Sequence, residues 1–138
     1  MTVQVIGYAR VSTKEQDLSL QLDALSKYGC DRIFTDKISS VKERQGLTDA
    51  LGYLRDGDTL VVWKLDRLCR SLPDLIKISE QIRTAGAQLV SITESIDTST
   101  PAGRLYFNIL GALGQMEREL IQERVKAGLA AARRRGKV

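Results

Sequence analysis

Residues 59–63 read TLVVW, an apolar run without alternation, set between the turn Asp56-Gly57-Asp58 and Lys64. A strand of this kind is buried on both faces, so helices must cover both sides of the sheet that holds it. The rest of the chain supplies them. Val3 to Ala9 (VQVIGYA) reads as a strand, and Asp17 to Tyr28 as a helix with Leu18, Leu22 and Leu25 at helical spacing and Gly29 as its stop. Cys30 to Thr35 is expected to form a second strand, followed by a polar, charged loop from Asp36 to Gly46. Leu47, Ala50, Leu51 and Leu54 then make one stripe of a helix. Ser71 is placed to cap the next helix, with Pro73 in its first turn and Gly86 at its end, and Gln88 to Thr93 reads as a fourth strand. This alternation predicts an α/β fold: a mainly parallel central sheet with flanking helices and right-handed crossovers.

The last helix does not fit inside such a domain. Thr100-Pro101 starts it in the preferred order of cap and proline, and nothing stronger than single glycines interrupts it before Gly136. That is roughly 50 Å of helix, longer than a domain of 138 residues is wide. Leu105, Ile109, Leu113, Met116 and Leu120 carry an apolar seam along it, part of which has no evident partner in its own domain. Self-association through this helix is the expectation.

Composition narrows the chemistry. With 43 % apolar and 28 % charged residues the chain is an ordinary globular one, and its length suits one compact domain. No apolar run reaches the roughly 18 residues that span a bilayer, and the first ten residues do not resemble a signal peptide. Two cysteines, Cys30 and Cys69, are too few for a disulfide scaffold, so a reduced, cytoplasmic protein is expected. There is no histidine, which excludes Ser-His-Asp triads, Cys-His pairs and any histidine base or zinc ligand.

The net charge of +4 sits at one end. From Glu117 to Val138 seven basic residues face three acids, whereas the preceding 116 residues balance. A basic terminal run on a balanced domain suits a nucleic acid or another polyanion; a solvated helix end accounts for it equally well.

In open parallel sheets, sites form beyond the carboxyl ends of the strands. Arg10 and Ser12 follow the first strand, Asp36 and Ser39 the second, and Asp66, Arg67 and Arg70 the third, so all are expected at one sheet edge. A hydroxyl among guanidiniums can attack a phosphodiester, because fixed arginines stabilise the charge of the transition state without metal or histidine. Each residue also has a plain structural use. Ser12 and Thr13 suit a turn, and Arg67 and Arg70 can pair with Asp66 and Asp74.

YARVST (Tyr8 to Thr13) and KLDRLCRS (Lys64 to Ser71) closely resemble the resolvase/invertase family of serine recombinases. IFTDKIS (Ile33 to Ser39), SIDTSTPAGR (Ser95 to Arg104) and MEREL (Met116 to Leu120) match that family in the same order. The resemblance implies a resolvase-like catalytic domain that recombines double-stranded DNA at specific sites through a covalent 5′-phosphoserine, without ATP, metal or cofactor. It implies Ser12 as nucleophile, Arg10, Arg67 and Arg70 around the phosphate, and Asp66 as an orienting or proton-transfer group. Tyr8, Gln21 and Arg44 match further active-site positions. Residues 1–100 are then the catalytic core. Residues 101–136 form the dimer and tetramer helix, whose Arg124, Lys126, Arg133, Arg134 and Arg135 meet DNA backbone at the minor groove.

A homodimer assembling to a homotetramer in the synaptic complex, with an accessory DNA-bending protein, is the implied assembly, and no membrane is involved. A non-catalytic DNA-associated dimerisation module of the same fold is the alternative, and a phosphate-ester hydrolase a second. Three positions depart from the family: Ser40 and Cys69 stand where glycine is usual, and Gln45 replaces the residue usual before Gly46. Small members continue into a helix-turn-helix that has no counterpart in these residues, so the expectation is either a catalytic-domain fragment or sequence recognition that comes from elsewhere.

Overall fold

A computed structural model describes residues 3–11, 15–37 and 44–134. The elements run β1 (Val5–Val11), α1 (Glu15–Tyr28), β2 (Arg32–Lys37), α2 (Gln45–Tyr53), β3 (Thr59–Val62), a 3₁₀ turn (Leu65–Arg67), α3 (Leu72–Thr84), β4 (Gln88–Ser91), β5 (Ile96–Asp97) and α4 (Pro101–Arg134). The sheet order is β2-β1-β3-β4-β5, with β5 antiparallel and the other pairings parallel.

Strand alternation splits the core in two. Ile6, Tyr8, Leu60, Val62 and Leu89 face α2, α3 and the start of α4, meeting Leu47, Ala50, Leu75, Ile78, Phe107 and Leu110. Ala9, Val61 and Val90 point the other way, onto Leu25 of α1. The apolar run after Asp58 is thus buried on both faces as its sequence requires, with Leu60, Val61 and Val62 fully buried.

Several boundaries differ from the sequence expectation. β1 and β2 each lie two residues later than the sequence suggests, ending at Val11 and Lys37. Their parallel register continues through Arg10↔Asp36 and Val11↔Lys37, so the ladder carries polar residues into the strands. Asp36 is therefore strand, not loop. The strand expected over Gln88 to Thr93 stops at Ser91, and a short β5 that sequence reasoning did not find turns back against it. Two residues are too few to show a period. Both helix caps hold: Ser71 Oγ accepts from Asp74 N at 3.3 Å, and Thr100 Oγ1 from Gly103 N at 3.1 Å. Gly103 must be glycine, since a Cβ there would stand 1.7 Å from the Asp97 carbonyl oxygen of β5.

Helix α4 has 34 residues, about 50 Å at 1.5 Å per residue. Gly103, Phe107, Leu110 and Gly114 are its buried face, packed toward α3. After Gly114 the helix leaves the domain, and every residue from Gln115 to Ala130 is exposed. An ion pair between Arg118 and Glu80 of α3, at 2.7 Å, spans the point of departure. Leu105, Ile109 and Met116 each follow a core-facing position by two residues, about 200° around the helix, and all three are exposed. Leu120 continues that stripe, also exposed. Leu113 departs from the expected seam, packing against the domain's own core.

Candidate active site

The carboxyl ends of β1, β2 and β3 lie side by side, and the chain after β3 turns into the loop 65–71 that carries Asp66, Arg67 and Arg70. Two guanidiniums from elsewhere in the chain hold this loop. Arg10, at the end of β1, donates from Nη2 to the Asp66 carbonyl. Arg44, immediately before α2, donates from Nη1 to the Leu68 carbonyl at 3.3 Å. Two arginines thus converge on the main chain of a short loop that carries two more.

Arg10 itself is positioned by a buried amide. Gln21 of α1 is fully buried; its Oε1 accepts from Arg10 N at 3.1 Å and its Nε2 donates to Arg10 O at 3.0 Å. Pairing between β1 and β3 ends at Tyr8↔Val62, so the Arg10 peptide groups are left without a strand neighbour on that side. The glutamine side chain takes the place of the missing strand. Arg10 Nε is buried and has no acceptor among the described residues.

Tyr8 lies beneath the site. Its ring is fully buried and its hydroxyl donates to Asp36 Oδ2 at 2.7 Å. Burial, then the Asp36 hydrogen bond and charge, push the phenol far above its ordinary value of 10, against the opposing pull of Arg10 and Arg44. It is therefore a fixed hydrogen-bond donor, with no capacity to act as a base near neutrality. Asp36 also accepts from Gly46 N at 2.8 Å and Leu47 N at 2.9 Å, which satisfies the free amides at the start of α2. A Cβ on Gly46 would lie 2.3 Å from the Thr35 carbonyl oxygen, so this approach of α2 to β2 requires glycine.

Asp74 does not pair with the Arg70 side chain, as the spacing of four residues allows. Its carboxylate takes both Nη atoms of Arg44, each at 2.8 Å, and its Oδ2 accepts the Arg70 backbone N–H at 2.9 Å. Burial alone would raise this carboxyl. The Arg44 fork and the Arg70 amide outweigh burial and hold it below its ordinary 3.8. Arg44 shifts upward in response, chiefly through the same hydrogen bonds.

Asp66 uses its main chain, rather than its carboxylate, to hold Arg10. The carboxylate is two-thirds exposed and 3.9 Å from Arg67 Nη1, a loose contact that leaves it open to solvent. Cys69 is half-buried in the same loop, its thiol donating to the Leu65 carbonyl at 3.2 Å. Glu94, missed in the sequence, accepts from Leu65 N at 3.3 Å with both carboxylate oxygens and so braces the start of the loop. It follows the fourth strand, and only the fold brings it back to Leu65.

Ser12 and Thr13 lie outside the described residues, as do Ser39, Ser40 and Arg135. Arg124, Lys126, Arg133 and Arg134 are exposed along the projecting part of α4. Among the described residues, no helix is long and apolar enough to cross a membrane.

Arginines at the carboxyl edge of a mostly parallel α/β sheet have the chemistry to bind a phosphoryl group without histidine. The family model for the resolvase N-terminal domain matches residues 5–138, and the chain belongs to that family. It is 56 % identical over 135 residues to a DNA-invertase of Escherichia phage P1, covering 97 % of this chain and 73 % of the relative. It is 54 % identical over 135 residues to the serine recombinase gin of Escherichia phage Mu, covering 97 % and 70 %. Among solved structures, the N-terminal catalytic domain of TP901-1 integrase matches with a TM-score of 0.65 and 32 % identity, over 84 % of this chain and 97 % of that one.

Proposed function

We propose that this chain is the catalytic part of a site-specific DNA recombinase of the resolvase/invertase type, cutting and rejoining strands through Ser12. The observation that carries this reading is the convergence of Arg10 and Arg44 on the carbonyls of the loop bearing Arg67 and Arg70. Ser12 follows Arg10 by two residues in the sequence, next after Val11, the last residue of β1. Its Oγ attacks a backbone phosphorus and displaces the 3′-oxygen, which leaves as a hydroxyl; the 5′-phosphate stays on serine. Reversal by a 3′-hydroxyl restores the DNA, so phosphoester energy is conserved and no ATP is needed.

In this reading Arg10, Arg67 and Arg70 stabilise the charge on the phosphoryl oxygens. Asp66, with its carboxylate open to solvent, is available to orient arginines or pass a proton. Tyr8 and Gln21 act beneath the site by fixing Asp36 and Arg10. Residues 1–100 are the catalytic core. Residues 101–136 supply the subunit contact, through Leu105, Ile109, Met116 and Leu120, with Leu113 at its inner border. The same helix supplies DNA backbone contacts, through Arg124, Lys126, Arg133, Arg134 and Arg135. An exposed apolar stripe on a helix that has left its domain supports a homodimer, assembling to a tetramer at synapsis.

The test joins the chain to a DNA-binding module of known site and presents a library of central sequences flanked by that site. Reactions are quenched in denaturant and peptides bearing nucleotides are mapped. A 5′-phosphonucleotide on Ser12 supports the reading. Intact DNA under confirmed dimer binding, even with activating changes along α4, favours the non-catalytic dimerisation module. Nicked DNA without attached peptide favours a hydrolase.

A further inference from the structure

We propose that Asp74 is a positioning residue of the reaction, setting Arg44 and Arg70 in place over the cleavage site. The role rests on the recombinase reading above and adds to it a group that does not touch DNA. Arg44 precedes α2 with a non-helical backbone and makes no side-chain cap there. Its guanidinium instead crosses to α3, where both Nη atoms meet the two oxygens of Asp74 at 2.8 Å. This two-point fork fixes the plane of the guanidinium as well as its place. The same carboxylate accepts the backbone N–H of Arg70 at 2.9 Å, so one group ties together two arginines 26 positions apart.

Asp74 is itself held. Its backbone N–H donates to the Ser71 cap, in the first turn of α3. The pair is largely shielded, with side-chain exposure of 21 % for Arg44 and 15 % for Asp74. The carboxylate offsets the positive charge of Arg44 and fixes its guanidinium, while its bond to the Arg70 backbone N–H anchors the main chain that carries the Arg70 side chain. α2 is anchored on the sheet without this pair, because it packs against β1 and β2 and buries Leu47 and Ala50 in the core. What Asp74 adds is the orientation of the Arg44 guanidinium and a fixed main chain at Arg70.

The experiment uses the joined protein and the cleaved sequence identified above, comparing the parent with Asp74→Asn, Asp74→Glu, Arg44→Ala and the Asp74→Asn/Arg44→Ala double variant. Rates of Ser12 adduct formation are measured alongside site affinity and thermal midpoint. Asp74→Asn is expected to slow adduct formation by about 10- to 100-fold, the cost of reacting groups misplaced by up to roughly 1 Å, with affinity within about twofold of the parent. Asp74→Glu recovers part of the rate, and the loss in the double variant is smaller than the product of the two single losses, because both changes remove the same Arg44–Asp74 fork. An unchanged or faster rate in Asp74→Asn overturns the role. So does a double variant whose loss is the product of the two single losses. Absence of an adduct in the parent overturns the recombinase reading itself.

Discussion

Gln21 and Arg10 exchange two hydrogen bonds, side chain to main chain, at 3.1 and 3.0 Å. A buried glutamine thereby completes a sheet ladder where β3 has already ended. Replacing it with the near-isosteric Gln21→Met leaves a backbone donor and acceptor unsatisfied in a buried place. A loss of roughly 2 to 4 kcal/mol follows, taking about 1 to 2 kcal/mol for each orphaned group. Denaturant titration of the two proteins measures it, and a change below about 0.5 kcal/mol would show that the amide is dispensable.

Ser12→Ala is expected to abolish the covalent adduct while leaving the fold and DNA affinity nearly unchanged. Cleavage at the same bond by that variant would refute the nucleophile assignment. Arg70→Lys should slow adduct formation by about 10²- to 10³-fold, since an ammonium cannot reproduce a guanidinium fork on a phosphate. Near-normal cleavage would place Arg70 outside the phosphate site.

The two sides of α4 should respond differently to charge. Ile109→Glu and Met116→Glu lie on the exposed stripe and are expected to yield well-folded monomers by sedimentation. Leu113 packs on its own domain, so Leu113→Ala should instead lower stability by about 1 to 2 kcal/mol, the value of a partly buried leucine. A dimer that survives both glutamate variants would move the subunit contact elsewhere.

Acid should release the Arg44–Asp74 pair. The folded-state pKa of Asp74 lies below its ordinary 3.8, so its contribution to stability is full above that pH and is lost as pH falls through the folded value. The stability gap between the parent and Asp74→Asn should therefore be constant from pH 7 to about 5 and close progressively below pH 4. A gap that persists undiminished at pH 2 would contradict the assignment.

Both thiols should be sluggish. Burial, helped by the charge of Asp31, pushes Cys30 up to about 11. Burial also raises Cys69, outweighing the pull of Arg10 and Arg44. Alkylation by iodoacetamide at pH 8 is expected to be on the order of 100-fold slower for Cys30 than for a thiol at its usual pKa, and complete only on unfolding. Rapid labelling of Cys69 in the folded protein would instead mark it as a redox-sensitive neighbour of the arginines.

Periodicity and local chemistry determined much of this protein from the sequence alone. TLVVW demanded a sheet covered on both faces, because no polar position offers it a solvated side. The caps Ser71 and Thr100 set two helix starts through interactions three residues long, and the unbroken run after Pro101 set a helix too long for its domain. The motifs around Arg10 and Arg67 told which groups to look for. None of these required knowledge of distant neighbours.

Tertiary structure decided what those groups do to one another. The β1–β2 register drew Asp36 into a strand, where it meets both Tyr8 and the start of α2. Gln21 became a substitute strand only because β3 stops short of Arg10. By spacing, Asp74 was a partner for Arg70; folding gave it to Arg44, 30 positions away, because the start of α2 and the first turn of α3 are neighbours only in space. A pattern within one helix or strand carries the information for that element. A carboxylate shared by two elements is chosen by their packing, which no local spacing records.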